Sequence, residues 1–315
     1  MGKIDDILVG KKSVAISGHI RPDGDCIGSC MGLFNYIKDN YPDIEADVFL
    51  QEFSDKFSFI KYTELVKHEP EDKIYDLYIM LDSSSLDRAG EFVTMFENAK
   101  QTICIDHHIS NEKFAQENIV VHTASSACEV LYELLDEDKV GFGCAEALYM
   151  GIVHDSGAFK YSNTSEKTMH IAGKLMAKGI PFTEIIDNTF YTKTYLQNQI
   201  LGRALLESVL FFDKQCIFSV VTQSEMEFYG ITYKDLDGIV EQLRITKGVE
   251  CAIFLYQVGE LEYKVSMRSN AVVDVSVIAT YFGGGGHIRA AGCNMKGTVY
   301  DVINNLAEQI ELQLA

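Results

Sequence analysis

The sequence predicts an α/β protein of two domains: an N-terminal parallel-sheet domain with flanking helices, and a smaller C-terminal α/β domain joined to it by a helical linker. Three observations carry that expectation. Strand-like apolar runs alternate with helical patterns through the first half, which argues for a parallel sheet. At 315 residues the chain is longer than one hydrophobic core usually supports. A polar, helix-permissive stretch near residue 200 separates this half from a hairpin-like region. The expected boundaries are 1–190 for the first domain, 191–212 for the linker and 213–315 for the second domain.

Lys12 to Gly18 (KSVAISG) is a short apolar run, followed by a loop. From Cys26 to Asn40, residues Ile27, Cys30, Phe34 and Ile37 recur at helical spacing, with Pro42 beyond the end. LYIML (Leu77 to Leu81) and TICI (Thr102 to Ile105) read as two more strands, each ending on polar residues. Ala145 to Val153 reads as a buried helix. Ser165 to Lys178 is another helix, with Ser165 as its N-cap, Gly179 at its stop and Pro181 after it. Thr192 to Ser208 lacks proline and suits a connecting helix. Cys216 to Thr222, Cys251 to Gln257 and Tyr263 to Met267 are strand-like, with a hairpin break at Gly259.

Composition narrows the function. The 46 acidic and 27 basic residues leave a net charge of −19, which disfavours long duplex nucleic acid, bound mainly through basic surface. The eight cysteines include no C-x-x-C pair, as expected of reduced thiols in a cytoplasmic protein. No apolar run reaches the roughly 18 residues of a membrane span, so no membrane partner is expected.

The ends of the strands carry the chemistry. GHIRPDGD (Gly18 to Asp25) places His19, Asp23 and Asp25 in a tight turn enforced by Pro22 and Gly24. The next strand ends at Asp82, another at Asp106, His107 and His108, and Asp155 follows the apolar helix. Each residue alone reads as a turn or cap. Together, at the edge of a sheet where ligands gather, they form a ligand set too large for one ion. Mixed imidazole and carboxylate donors suit manganese, iron or cobalt better than structural zinc. Two metals roughly 4 Å apart would use them to clamp an in-line phosphoryl displacement.

The segments GHIRPDGDCIGS, LDSSSLDRAG, CIDHHIS and GIVHDSGAFKYSN resemble, in order, the four motifs of the DHH phosphoesterase superfamily. YFGGGGHIRAAGC, Tyr281 to Cys293, resembles the glycine-rich signature of its accessory DHHA1 domain, and SMRSN (Ser266 to Asn270) stands where that domain carries a substrate-binding Ser and Arg. Length and layout place the chain with the short two-domain NrnA-type group. That resemblance implies a manganese-dependent phosphoesterase acting on short oligoribonucleotides, linear dinucleotides such as pApA and pGpG, and 3'-phosphoadenosine 5'-phosphate (PAP). It implies two Mn2+, with Mg2+ or Co2+ as substitutes. His19 and Asp23 would hold one ion and Asp25, His107 and Asp155 the other, with Asp82 bridging. His108 would contact the scissile phosphate and Asp106 would orient an imidazole. Arg268, Ser269, Gly285, Gly286 and His287 would bind substrate, and a homodimer is allowed. The chain departs mildly from the family pattern in the serines after Asp82 and in His154 beside Asp155, for which a packing or hydrogen-bonding role is expected; Arg88 is left unassigned. Metal and phosphate ligands alone also permit a polyphosphate or pyrophosphate hydrolase. A nucleotide sensor built on a degenerate phosphoesterase would lack a ligand, whereas every expected ligand type is present.

Overall fold

The computed structural model describes residues 2–314. They form two compact units that divide between Thr192 and Lys193. No helix among the described residues is long and apolar enough to cross a membrane.

The first unit begins with α1 (Lys3–Leu8) and is built on a wholly parallel sheet of β1 (Ser13–Ser17), β2 (Glu45–Phe49), β3 (Leu77–Leu81), β4 (Thr102–Asp106) and β5 (Glu117–Val120). The strand order is β2-β1-β3-β4-β5. Leaving β1, the chain goes first to one side and then to the other, so the switch point lies between β1 and β3. In open α/β sheets that crevice, at the carboxyl ends of the strands, is where ligands bind. All five residues of β3 and of β4 are buried, as expected of central strands covered on both faces.

The helices of this unit are α2 (Gly24–Asn40), α3 (Val93–Asn98), α4 (Ala127–Leu134), α5 (Phe142–Asp155), α6 (Glu166–Met176) and α7 (Phe182–Ile186). Side chains alternate across the sheet: Val14 and Ile16 face the core shared with α2, α4, α5 and α6, whereas Ala15 and Met80 face α3. The α2–α5 contact is close: a Cβ on Gly28 would fall 2.6 Å from the Ala147 carbonyl oxygen and 3.0 Å from Gly151 Cα. Ser165 caps α6, accepting from Thr168 N, and Gly179 takes φ +83° just beyond its end. The edge strands β2 and β5 have no counterpart in the sequence reading. EADVF and ENIV mix acids with apolar residues, and ENIV is only half-buried along its length.

The second unit opens with α8 (Tyr195–Leu206) and contains β6 (Val209–Phe211), β7 (Cys216–Val221), α9 (Gln223–Tyr229), α10 (Ile239–Arg244), β8 (Cys251–Gly259), β9 (Glu262–Ser269), α11 (Val275–Tyr281), β10 (Gly285–His287), β11 (Ala290–Lys296) and α12 (Val299–Leu314). Its six-stranded sheet runs β10-β11-β9-β8-β7-β6 and is antiparallel except for β7–β8. The segment read as a connecting helix is α8, whose Ile200 and Ala204 are buried with Ile217, Leu243 and Phe254 of this unit. The opposite face of the sheet packs on α11 and α12 through Ile278, Val302 and Leu306. All eight cysteines are buried free thiols.

Candidate metal centre

The loop after β1 places His19, buried at 6% exposure. Its Nδ1 lies 2.8 Å from the Ile20 carbonyl, which can only accept, so Nδ1 carries a proton and Nε2 faces the acids. From Nε2 it is 3.4 Å to Asp82 Oδ2 and 3.8 Å to Asp23 Oδ1. The loop is held from outside by Ile20 N donating to the Arg88 carbonyl at 2.7 Å and Arg21 N donating to Gln51 Oε1 at 2.9 Å. Arg88 therefore acts here through its backbone.

Asp23 has a local task as well. Its Oδ1 caps α2, accepting from Asp25 N and Cys26 N at 3.1 Å each. Asp25, on the first turn of α2, is 1% exposed, and its carboxylate accepts from Ala127 N at 2.6 Å and Cys128 N at 3.0 Å, the first amides of α4. The turn presenting those amides is braced by Glu129, which accepts from Ser125 N at 3.1 Å, Ser125 Oγ at 2.6 Å and Thr168 Oγ1 at 2.7 Å.

Asp82 follows β3 in a left-handed conformation, φ +53°. Its Oδ1 is 3.6 Å from both His107 Nε2 and His108 Nδ1. That oxygen is buried and accepts no hydrogen bond. His107 Nε2 also lies 3.3 Å from Asp155 Oδ2, at the last residue of α5, and 3.8 Å from Asp25 Oδ2. Asp106 engages both of its carboxylate oxygens in hydrogen bonds. His108 Nδ1 stands 2.8 Å from Asp106 Oδ1, and Asn111 Nδ2 donates to Asp106 Oδ2 at 2.7 Å. Asn111 also donates to the Ser83 carbonyl at 3.0 Å, tying the β4 loop to the β3 loop.

Three sets of ligand-type atoms converge within 4.8 Å: His19, Cys26 and Asp82; Asp25, His107 and Asp155; and Asp82, Asp106, His107 and His108. Asp82 joins the first set to the third, and His107 the third to the second. Asp23 stands beside these sets through its contact with His19. Cys26 was not foreseen as a member. Burial, reinforced by Cys30, pushes its thiol well above the ordinary range, and its Sγ lies 3.9 Å from the His19 carbonyl.

The electrostatics test whether this set suits cations. Burial and then the Asp82 charge raise the Asp25 carboxyl; burial and then the Asp25 charge raise that of Asp155. For His19 burial opposes the charge, but Asp23 and Asp82 overcome it and raise the imidazole to about 12. For His107, Asp82, Asp25 and Asp155 overcome burial and raise it to about 10. Carboxylates outnumber imidazoles, and protons make up the missing positive charge. Divalent cations would supply that charge instead, and the unbonded Asp82 Oδ1, between the His107 and His108 imidazoles, is a donor with no other partner. The residues fit a metal pair.

In the second unit, Arg268 lies on β9 opposite Ala290 and Ala252, with Nη1 donating to the Met267 carbonyl at 2.9 Å. Ser269 is buried, its Oγ 3.4 Å from the Ile288 carbonyl and from Arg289 Nη1. Arg289, which the sequence reading passed over, holds the 271–273 turn through Nη1 to the Val273 carbonyl at 3.0 Å and through the Ala271 carbonyl. The glycine run is an exposed edge hairpin, not a flexible loop. A Cβ at Gly284 would sit 2.2 Å from the Gly292 carbonyl, and one at Gly286 2.5 Å from Ala291 Cα, so β11 requires both glycines. A Cβ at Gly285 would meet nothing within 4 Å, and Gly285 and His287 are both exposed.

Comparison with known proteins agrees with this layout. The model of the DHH family, N-terminal domain, matches residues 13–152, and that of the DHHA1 domain matches 213–315. The chain is 26% identical over 289 residues to the bifunctional oligoribonuclease and PAP phosphatase NrnA of Bacillus subtilis, covering 90% of this chain and 89% of that one. It is 29% identical over 296 residues to the protein of the same name from Thermus thermophilus, covering 91% and 86%. The crystal structure of an exopolyphosphatase-related protein from Bacteroides fragilis shares the fold, with a TM-score of 0.90 at 24% identity over 98% of this chain and 96% of that chain. With five motifs in order, the Asp82-centred cluster and both domain matches, the chain belongs to the DHH phosphoesterase superfamily, as a member that carries a DHHA1 domain.

Proposed function

We propose that this protein is a manganese-dependent phosphoesterase that hydrolyses short oligoribonucleotides and linear dinucleotides such as pApA and pGpG to mononucleotides, and removes the 3'-phosphate of PAP, in the cytoplasm. The observation that carries the reading is Asp82 between two donor groups, with His108 beside it and turned outward by Asp106. The relatives named as oligoribonuclease and PAP phosphatase support the substrate class.

His19 and Asp23 would hold one ion, Asp25, His107 and Asp155 the other, and Asp82 both. When bound, such a pair of cations supplies Lewis acidity, lowering the pKa of water and neutralising phosphate charge. The chain's own residues do the rest. His108 keeps Nδ1 against Asp106; burial opposes protonation, but Asp106 and then Asp82 overcome it and raise the imidazole, so Nε2–H donates to a phosphate oxygen. Asp106 stays ionised because His108 and Asn111 outweigh its burial, and it fixes the ring. Arg268 offers a planar fork to a terminal phosphate, Ser269, Gly286 and His287 frame it, and Gly285 lets the backbone approach. Low positive charge restricts the substrates to short ones.

The test is kcat/KM with manganese across RNAs of increasing length from the dinucleotide, pApA, pGpG, PAP and pyrophosphate. Mononucleotide release from dinucleotides with pyrophosphate untouched is expected. Far faster turnover of pyrophosphate would overturn the nucleotide reading in favour of the pyrophosphate hydrolase.

A further inference from the structure

Away from the metal centre, one buried acid has no task in the chemistry above. Glu146 lies on α5, is 6% exposed, and forms no hydrogen bond or ion pair among the described residues. A carboxylate largely withdrawn from water and without a partner favours its protonated form or a cation beside it. Burial alone lifts its carboxyl to about 7.

Glu146 lines a pocket of about 260 Å³ between α5, α7 and the short turn at Asp55–Phe57. Asp55 and Glu184 add two more carboxylates to its wall, and Phe59 and Ile185 add apolar surface. Lys56 also lines it, with Nζ donating to the Thr189 carbonyl at 3.1 Å and lying 4.8 Å over the Phe57 ring. With Glu146 ionised, three acids against one ammonium leave two negative charges. The rim continues through Asn188 into a π-helical turn, Asp187–Tyr191, a form of backbone that gathers at functional sites.

We propose that this pocket binds a small linear organic diammonium ion, one ammonium group pairing with Glu146 and the aliphatic stem lying on Phe59 and Ile185. A metal ion fits less well: every set of three or more ligand-type side chains converging within 4.8 Å among the described residues belongs to the strand-end cluster. The volume lies below the roughly 300–1,000 Å³ of pockets for drug-sized molecules, which limits the ligand to a short chain. The inference does not depend on the phosphoesterase reading.

The experiment is a calorimetric titration of the manganese-loaded full chain with 1,4-diaminobutane, so that the metal-centre acids are already engaged. Saturable binding with a Kd of about 1 mM or tighter is expected, with no binding of butan-1-ol. Glu146→Gln should weaken it at least about tenfold, with a thermal midpoint in amine-free buffer no lower than that of the parent. If that variant fails to fold, Glu184→Gln, at an exposed position, should weaken binding roughly threefold. Absence of saturable binding, or an unchanged Kd in whichever variant folds, overturns the proposal. Equal Glu146-dependent stabilisation by K+ or Mg2+ overturns the organic assignment.

Discussion

His108 Nδ1 stands 2.8 Å from Asp106 Oδ1, and Asn111 holds the other oxygen of the same carboxylate at 2.7 Å. One acid of the Asp-His-His run thus has both oxygens engaged in hydrogen bonds and aims a neighbour. Asp106→Asn should lower kcat by roughly ten- to hundredfold, the usual cost of losing such a support, while leaving manganese content near two ions per chain. Kinetics on a dinucleotide with metal analysis of the same sample checks this. Loss of metal in parallel with activity would show that Asp106 serves as a ligand.

Asp82 is the residue whose loss should be most severe. Its two oxygens reach His19 on one side and His107 and His108 on the other. Asp82→Asn should reduce kcat on the order of a thousandfold, about 4 kcal/mol of barrier, and weaken manganese binding. Near-normal turnover in this variant would refute the two-metal arrangement.

Metal should also stabilise the fold. The donors come from the loops after β1, β3 and β4 and from α5, so cations bind only the folded unit. At manganese about 100-fold above Kd, each site adds about 2.7 kcal/mol, or a rise of about 5 to 10 °C in midpoint. A melt with and without a chelator reads this directly. Midpoints that coincide would mean that the cluster holds no metal.

Arg268 predicts a different signature. Arg268→Ala should raise KM for dinucleotides and PAP roughly ten- to hundredfold, the worth of a lost charge-assisted contact, with manganese affinity unchanged. The measurement is a kcat and KM split across the substrate panel. A fall in kcat alone would remove Arg268 from substrate binding.

Acid sensitivity should trace to Asp5. Burial opposes its charge, but Tyr36 at 2.6 Å, Tyr41 at 2.5 Å, Lys139 at 3.0 Å and Gly2 N at 3.1 Å prevail and hold it at about 2, against an ordinary 3.8. A carboxyl depressed in the folded state stabilises it fully above the unfolded value and loses that contribution as pH falls through the folded one. Asp5→Asn should therefore cost roughly 1–3 kcal/mol at pH 7, with the gap from the parent narrowing between about pH 4 and pH 2. Chemical denaturation of both proteins across that interval tests it, and a pH-independent gap would contradict it.

The sequence by itself determined the central elements, because β1, β3, β4, α5 and α6 bury continuous or periodic apolar residues and are bounded by turn or cap residues. It also determined which side chains stand at strand ends, since those positions are local. Only the tertiary structure decided what each of them meets. That the amides of α4 hold Asp25, and that Asn111 links Asp106 to the β3 loop, are contacts across 102 and 28 residues of chain, set by the order β2-β1-β3-β4-β5 and by the close α2–α5 approach at Gly151. The edge strands escaped the sequence because half-buried strands mix acids with apolar residues. Gly284 and Gly286 look alike in a run of four, yet their necessity comes from a neighbouring strand that local sequence cannot reveal.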